Sequence, residues 1–112
     1  MFSLTLFSFL LNINQTEKPP PPENVEAKNV QKHYLVLTWD KPKHGSYYQI
    51  ENYTIEKKEE DSDKFTVVDT LPYTQTGLML KDLEPDTKYT IRLSSNNKYG
   101  RSDGVLDRKS VV

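Results

Sequence analysis

The stretch Tyr34-Leu35-Val36-Leu37-Thr38-Trp39 puts Leu35, Leu37 and Trp39 on one face and Val36 and Thr38 on the other. A period of two is that of a half-buried β-strand. Asp40-Lys41-Pro42-Lys43-His44-Gly45 ends it, and Ile50 opens a second strand in which Tyr53 and Ile55 face one way and Asn52, Thr54 and Glu56 the other. After the charged turn from Lys57 to Lys64, Phe65-Thr66-Val67-Val68 reads as a short strand. Leu78 and Leu80 alternate next, followed by the corner Leu83-Glu84-Pro85-Asp86-Thr87. Tyr89, Ile91 and Leu93 then share a face, and Asn96 to Gly100 turn the chain into a last strand. Short strands separated by turns, with no helical period, predict two antiparallel sheets packed face to face.

Composition agrees. Valine, isoleucine and threonine supply 22 of the 112 residues and aromatics another 12, whereas alanine occurs once, at Ala27. This is the set that suits pleated, half-buried surfaces rather than helices. Cysteine is absent, which excludes a disulfide scaffold, a thiolate metal site and a cysteine nucleophile. The 15 basic residues nearly cancel the 16 acidic ones, so the net charge of −1 gives no electrostatic case for nucleic acid.

The chain divides near its proline block. Met1 to Leu11 is apolar and uncharged, and the first ionisable side chain is Glu17. Such a run matches the core of a secretion signal and is too short to span a bilayer as a helix. No basic residue precedes it and no small-x-small site follows, so a mis-assigned start or a strand of the fold stand beside the signal reading. Pro19 to Pro22 read as a stiff, extended linker. The expected division is an N-terminal segment over 1–18 and a domain over 19–112.

Specific landmarks then accumulate in order. Pro22-Glu23-Asn24-Val25 leads into Leu35-x-Leu37-x-Trp39-x-x-Pro42 and Ile50-x-x-Tyr53-x-Ile55. The second half carries Leu80-x-x-Leu83-x-Pro85-x-Thr87-x-Tyr89-x-Ile91 and Asn97-x-x-Gly100-x-Ser102. With these landmarks the chain resembles a fibronectin type III domain. The resemblance implies an all-β, seven-stranded antiparallel sandwich of immunoglobulin-like topology. It also implies a core around Trp39, Tyr53 and Leu83, and a tyrosine corner at Tyr89 whose hydroxyl bonds backbone near Leu83 to Pro85. Asp103 to Lys109 lack the clean alternation of the family's last strand, and residues 1–18 lie outside the resemblance.

Sites of chemistry are few. His33 and His44 are eleven residues apart and too far for a paired metal motif. Glu59, Glu60, Asp61 and Asp63 lack the glycine and distal glutamate of a calcium loop and read as a solvated hairpin. No nucleophile elbow and no glycine-rich phosphate loop occurs. The expectation is therefore no catalysis, no cofactor, no metal, no small-molecule substrate and no membrane span. Asn14-Gln15-Thr16 and Asn52-Tyr53-Thr54 are N-glycosylation sequons, where about one is expected by chance. Strand alternation turns Asn52 outward.

Three loops that this fold gathers at one pole hold Tyr47 and Tyr48, Tyr73, and Tyr99, with Lys43, Lys98 and Arg101 expected around them. Tyrosine buries much area at little rotamer cost, so these residues are the candidate partner-binding surface. The alternative is that Tyr99 and Tyr73 merely pack against their own turns. Ser110-Val111-Val112 matches a carboxyl-terminal motif for strand addition, although these residues also suit the last strand. The sequence is read as a non-catalytic module that binds protein partners or neighbouring modules, or spaces them. The primary expectation is an extracellular adhesion or receptor-type protein; the second is an intracellular structural module of a muscle or cytoskeletal filament protein.

Overall fold

The computed structural model describes residues 17–111. The expectations for the apolar segment Met1 to Leu11 and the Asn14 sequon lie outside them. The strands are β1 (Glu23–Lys28), β2 (Leu35–Asp40), β3 (Asn52–Glu59), β4 (Thr66–Pro72), β5 (Gly77–Leu80), β6 (Lys88–Asn97), β7 (Gly100–Arg101) and β8 (Val105–Ser110). A single-turn helix, α1 (Gly45–Tyr48), lies between β2 and β3. One sheet has the order β1-β2-β5, and in the other β4-β3-β6 is completed by β7 and β8, which both pair with β6. Every pairing is antiparallel. The inward faces meet in one core containing Leu35, Leu37, Trp39, Tyr53, Ile55, Leu80, Leu83, Tyr89, Ile91 and Leu93. Trp39 and Tyr53 pack edge to face at 5.3 Å between centroids, an arrangement that suits the aromatic quadrupole.

Among the described residues the strand count is eight, not seven, because the last strand is broken. At the break Ser102 keeps the ladder: its N–H donates to the Ser95 carbonyl at 2.8 Å and its Oγ accepts from the Ser95 N–H at 2.9 Å. Gly104 follows, where any Cβ would fall 2.6 Å from Arg92 Cγ. The stem of Arg92 occupies the space a side chain would need, so the chain steps aside before pairing resumes at Val105 opposite Leu93. This is why Asp103 and Gly104 interrupt the alternation. Val111 is then buried at 3% exposure, with its N–H on the Thr87 carbonyl. A terminal docking motif needs those residues free; here Val111 is core.

Two further departures concern the ends and the outer face. Pro19 and Pro22 are buried and the Glu17 carbonyl accepts from Asn97 Nδ2 at 2.9 Å, so the proline block lies on the fold instead of standing off as a linker. On β3, Thr54 and Glu56 are buried although they share the outward face. Neighbouring side chains on the same sheet cover them. Asn52, expected to project outward, is half-buried and its Oδ1 accepts from Asn96 Nδ2 at 2.7 Å.

Candidate functional site

The loop pole is built around Gly45 and Asn97. A Cβ at Gly45 would collide with the Tyr73 hydroxyl, so glycine lets the Tyr73 ring close over α1. Tyr73 continues the aromatic stack from Tyr53, 6.0 Å away, and Lys41 Nζ lies 5.0 Å above its ring. Tyr47 and Tyr48 pack edge to face at 5.3 Å. Asn97 is 8% exposed and joins three segments. Its Nδ2 donates to the carbonyls of Glu17 and Tyr48, both at 2.9 Å, and its Oδ1 accepts from the Tyr99 N–H at 2.8 Å. Gly100 completes the turn at φ 146°, a region few side chains tolerate.

The structure thus brings Tyr47, Tyr48, Tyr73 and Tyr99 to one pole, but they differ in availability. Tyr47, Tyr48 and Tyr73 are half-buried in their own packing, and the Tyr47 hydroxyl is out of solvent without a hydrogen-bond partner among the described residues. Tyr99 is 42% exposed, with Lys98 Nζ 5.1 Å from its ring. Lys43 is exposed, and its backbone N–H approaches Glu23 Oε2 at 3.4 Å. Arg101 is not part of the pole. It lies one residue past the turn, on β7, and strand geometry sends its guanidinium along the sheet to Glu56 Oε1 at 3.2 Å.

At the opposite end Tyr89 is 3% exposed and its phenol oxygen accepts from the Glu84 N–H at 2.8 Å. The backbone group it satisfies is a donor. Leu83 is anchored beside it, its N–H on the His33 carbonyl and its own carbonyl accepting from His33 Nδ1 at 3.1 Å.

A second cluster, absent from the sequence reading, occupies the outer face of the larger sheet. Glu56 on β3 stands opposite Arg92 on β6. Arg92 donates through Nε to Oε1 at 3.0 Å and through Nη2 to Oε2 at 2.8 Å, a bidentate pair. The Arg92 guanidinium also stacks on Phe65, 3.8 Å from the ring centroid. With Arg101 closing from the other side, the Glu56 side chain is left 7% exposed. The Arg92 hydrogen bonds hold the Glu56 carboxyl below the usual carboxylate range against the opposing effect of burial, with the charges of Arg92 and Arg101 adding to them. The signal was present in part, since Glu56 and Arg92 both fall on outward parity; the register that sets them opposite each other is not written in either strand alone.

Among the described residues no cluster of three or more His, Cys, Asp or Glu is placed to hold a metal, and no helix is long and apolar enough to cross a membrane. The family model for the fibronectin type III domain matches residues 20–105. The chain belongs to the fibronectin type III family. Relatives of this chain include chicken myosin-binding protein H, 32% identical over 110 residues, covering 92% of this chain and 20% of that protein. Human slow-type myosin-binding protein C is 31% identical over 104 residues, covering 91% of this chain and 9% of the relative. The chain therefore spans a fifth or less of these relatives' length. Among solved structures, titin kinase and its flanking domains match with a TM-score of 0.71 at 25% identity, over 83% of this chain and 17% of that one. The fibronectin type III domain of human collagen XX shares the fold, with a TM-score of 0.71 at 15% identity over 82% of this chain and 91% of that one.

Proposed function

We propose that this fibronectin type III domain is a non-catalytic structural module of an intracellular muscle filament protein, acting through protein–protein contacts and as a spacer. The observation that carries this reading is the set of relatives, myosin-binding proteins matched over more than nine tenths of the chain. It replaces the adhesion or receptor reading, for which the relatives give no support. Asn52 fits the replacement: its side chain is half-buried on the sheet face and its Oδ1 is fixed by Asn96 Nδ2, which leaves little room for a bulky glycan. The pole has a place in the same reading. Asn97 holds the Glu17 carbonyl beside Tyr48 and so fixes the direction in which the chain enters the module, while the exposed Lys98 and Tyr99 are placed to meet a neighbouring domain. The test is expression of the tagged chain in cultured striated muscle cells. Retention inside the cell in bands that repeat with the filaments is expected; diffuse distribution or release into the medium contradicts the proposal.

A further inference from the structure

We propose that the outer face of the sheet formed by β4, β3, β6 and β8 docks an acidic protein segment, whose carboxylates are read by Lys58, Lys88, Arg92, Arg101 and Arg108. The inference rests on the protein-binding reading above and assigns it a surface and a partner chemistry.

Strand register assembles the face. On β6, Ile91 and Leu93 point into the core, so Lys88, Thr90 and Arg92 point out. Thr90 pairs with Lys58 on β3 and with Arg108 on β8. Lys58, Thr90 and Arg108 therefore form one row, its two cations separated by two strand spacings, about 10 Å. The next row is Val67, Glu56, Arg92 and Leu106, again from direct pairing. Arg101 lies over that row with its guanidinium on Glu56.

Among the described residues five cations and two carboxylates share this surface. Glu56 is enclosed by two guanidinium groups, and Glu60 makes only a loose, exposed contact with Lys88 at 3.9 Å. Arg108 is exposed and has no carboxylate partner among the described residues. Because the whole chain carries −1, a positive face leaves the remainder net negative. An acidic partner is drawn to this face and repelled elsewhere, which sets orientation as well as approach. The shape agrees. A depression of about 400 Å³, open to solvent, is lined by four cations, Lys58, Lys88, Arg108 and Lys109, against the one carboxylate of Glu60. Val67 and Leu106, 61% and 49% exposed, stand at the two ends of the Glu56–Arg92 row and add apolar contact on either side of the charged middle. Interspersed carboxylates and aliphatic side chains suit a protein better than a continuous phosphate backbone.

The experiment is fluorescence anisotropy of a labelled oligoglutamate peptide titrated with the full chain, with duplex DNA of equal charge in parallel. Two double variants make the same change in net charge: Lys88→Glu with Arg108→Glu on the face, and Lys32→Glu with Lys81→Glu away from it. Unfolding midpoints are measured for each. The expected result is binding of the peptide that weakens with salt, a loss of about tenfold in the face variant and a change within about twofold in the other. Amide chemical shifts should move on β3, β6 and β8. Equal losses in both variants would reduce the effect to net charge and overturn the proposal. So would absent peptide binding, tighter binding of DNA, or shifts confined to the loop pole. Filament localisation can succeed while this test fails, so the two readings fail separately.

Discussion

Glu56 shows what one residue on the outside of a sheet can carry. Its carboxylate is nearly enclosed, yet both arginines remain partly in water, at 34% and 49% exposure. That exposure discounts the pair relative to a fully buried one. Glu56→Gln should cost about 1–3 kcal/mol at neutral pH, read as a lower denaturant midpoint. The folded-state pKa lies below the unfolded value, so the native state binds fewer protons in the interval between them and stability rises with pH there. The wild-type advantage over Glu56→Gln should be complete above about pH 5, shrink through the unfolded glutamate pKa of about 4.3 and vanish below the folded value. Equal midpoints at pH 7 would show the cluster to be ornamental. Tyr89→Phe keeps the packing and removes the oxygen that accepts from Glu84, with an expected loss of about 1–3 kcal/mol. Trp39, Tyr53 and Tyr89 were legible because each is a large side chain at the correct parity of a strongly alternating strand. Glu56 was not: its significance depends on which residue of another strand lies beside it.

At the scale of elements, the ends of the chain differ most from their sequence appearance. A four-proline block reads as a spacer, because nothing local shows that Pro19 and Pro22 find a surface to bury against. The last strand reads as irregular because Gly104 and Ser102 answer to Arg92 and Ser95 on β6 rather than to their own neighbours. Both features depend on contacts distant in sequence. A chain beginning at Glu23 should be less stable than one beginning at Glu17 by about 2 kcal/mol, since it lacks the buried prolines and the carbonyl that Asn97 holds. Indistinguishable unfolding curves would return the block to linker status. Val111→Ala should cost about 1–3 kcal/mol by opening the core next to Thr87. An unchanged midpoint there would mean that the chain ends outside the sandwich.

Across the whole molecule, the architecture was legible because period-two patterning and turn chemistry repeat along the entire chain, each instance supporting the others. The sites were less so. The tyrosines do reach one pole, as loop position implied, but Tyr47, Tyr48 and Tyr73 are half-buried in packing against α1 and one another, and Tyr99 alone of the four is exposed. The cations expected beside them divide, with Lys98 staying at Tyr99 and Arg101 joining the sheet face. Localisation was not written in the fold at all, since a sandwich without cysteine suits either side of a membrane, and the relatives carry that part of the account. The most direct measurement is intact-mass and glycan analysis of the full chain expressed in animal cells, with cytosol and medium collected separately. The account predicts recovery from the cytosol with Asn52 unmodified. Recovery from the medium with a glycan on Asn52 would contradict it.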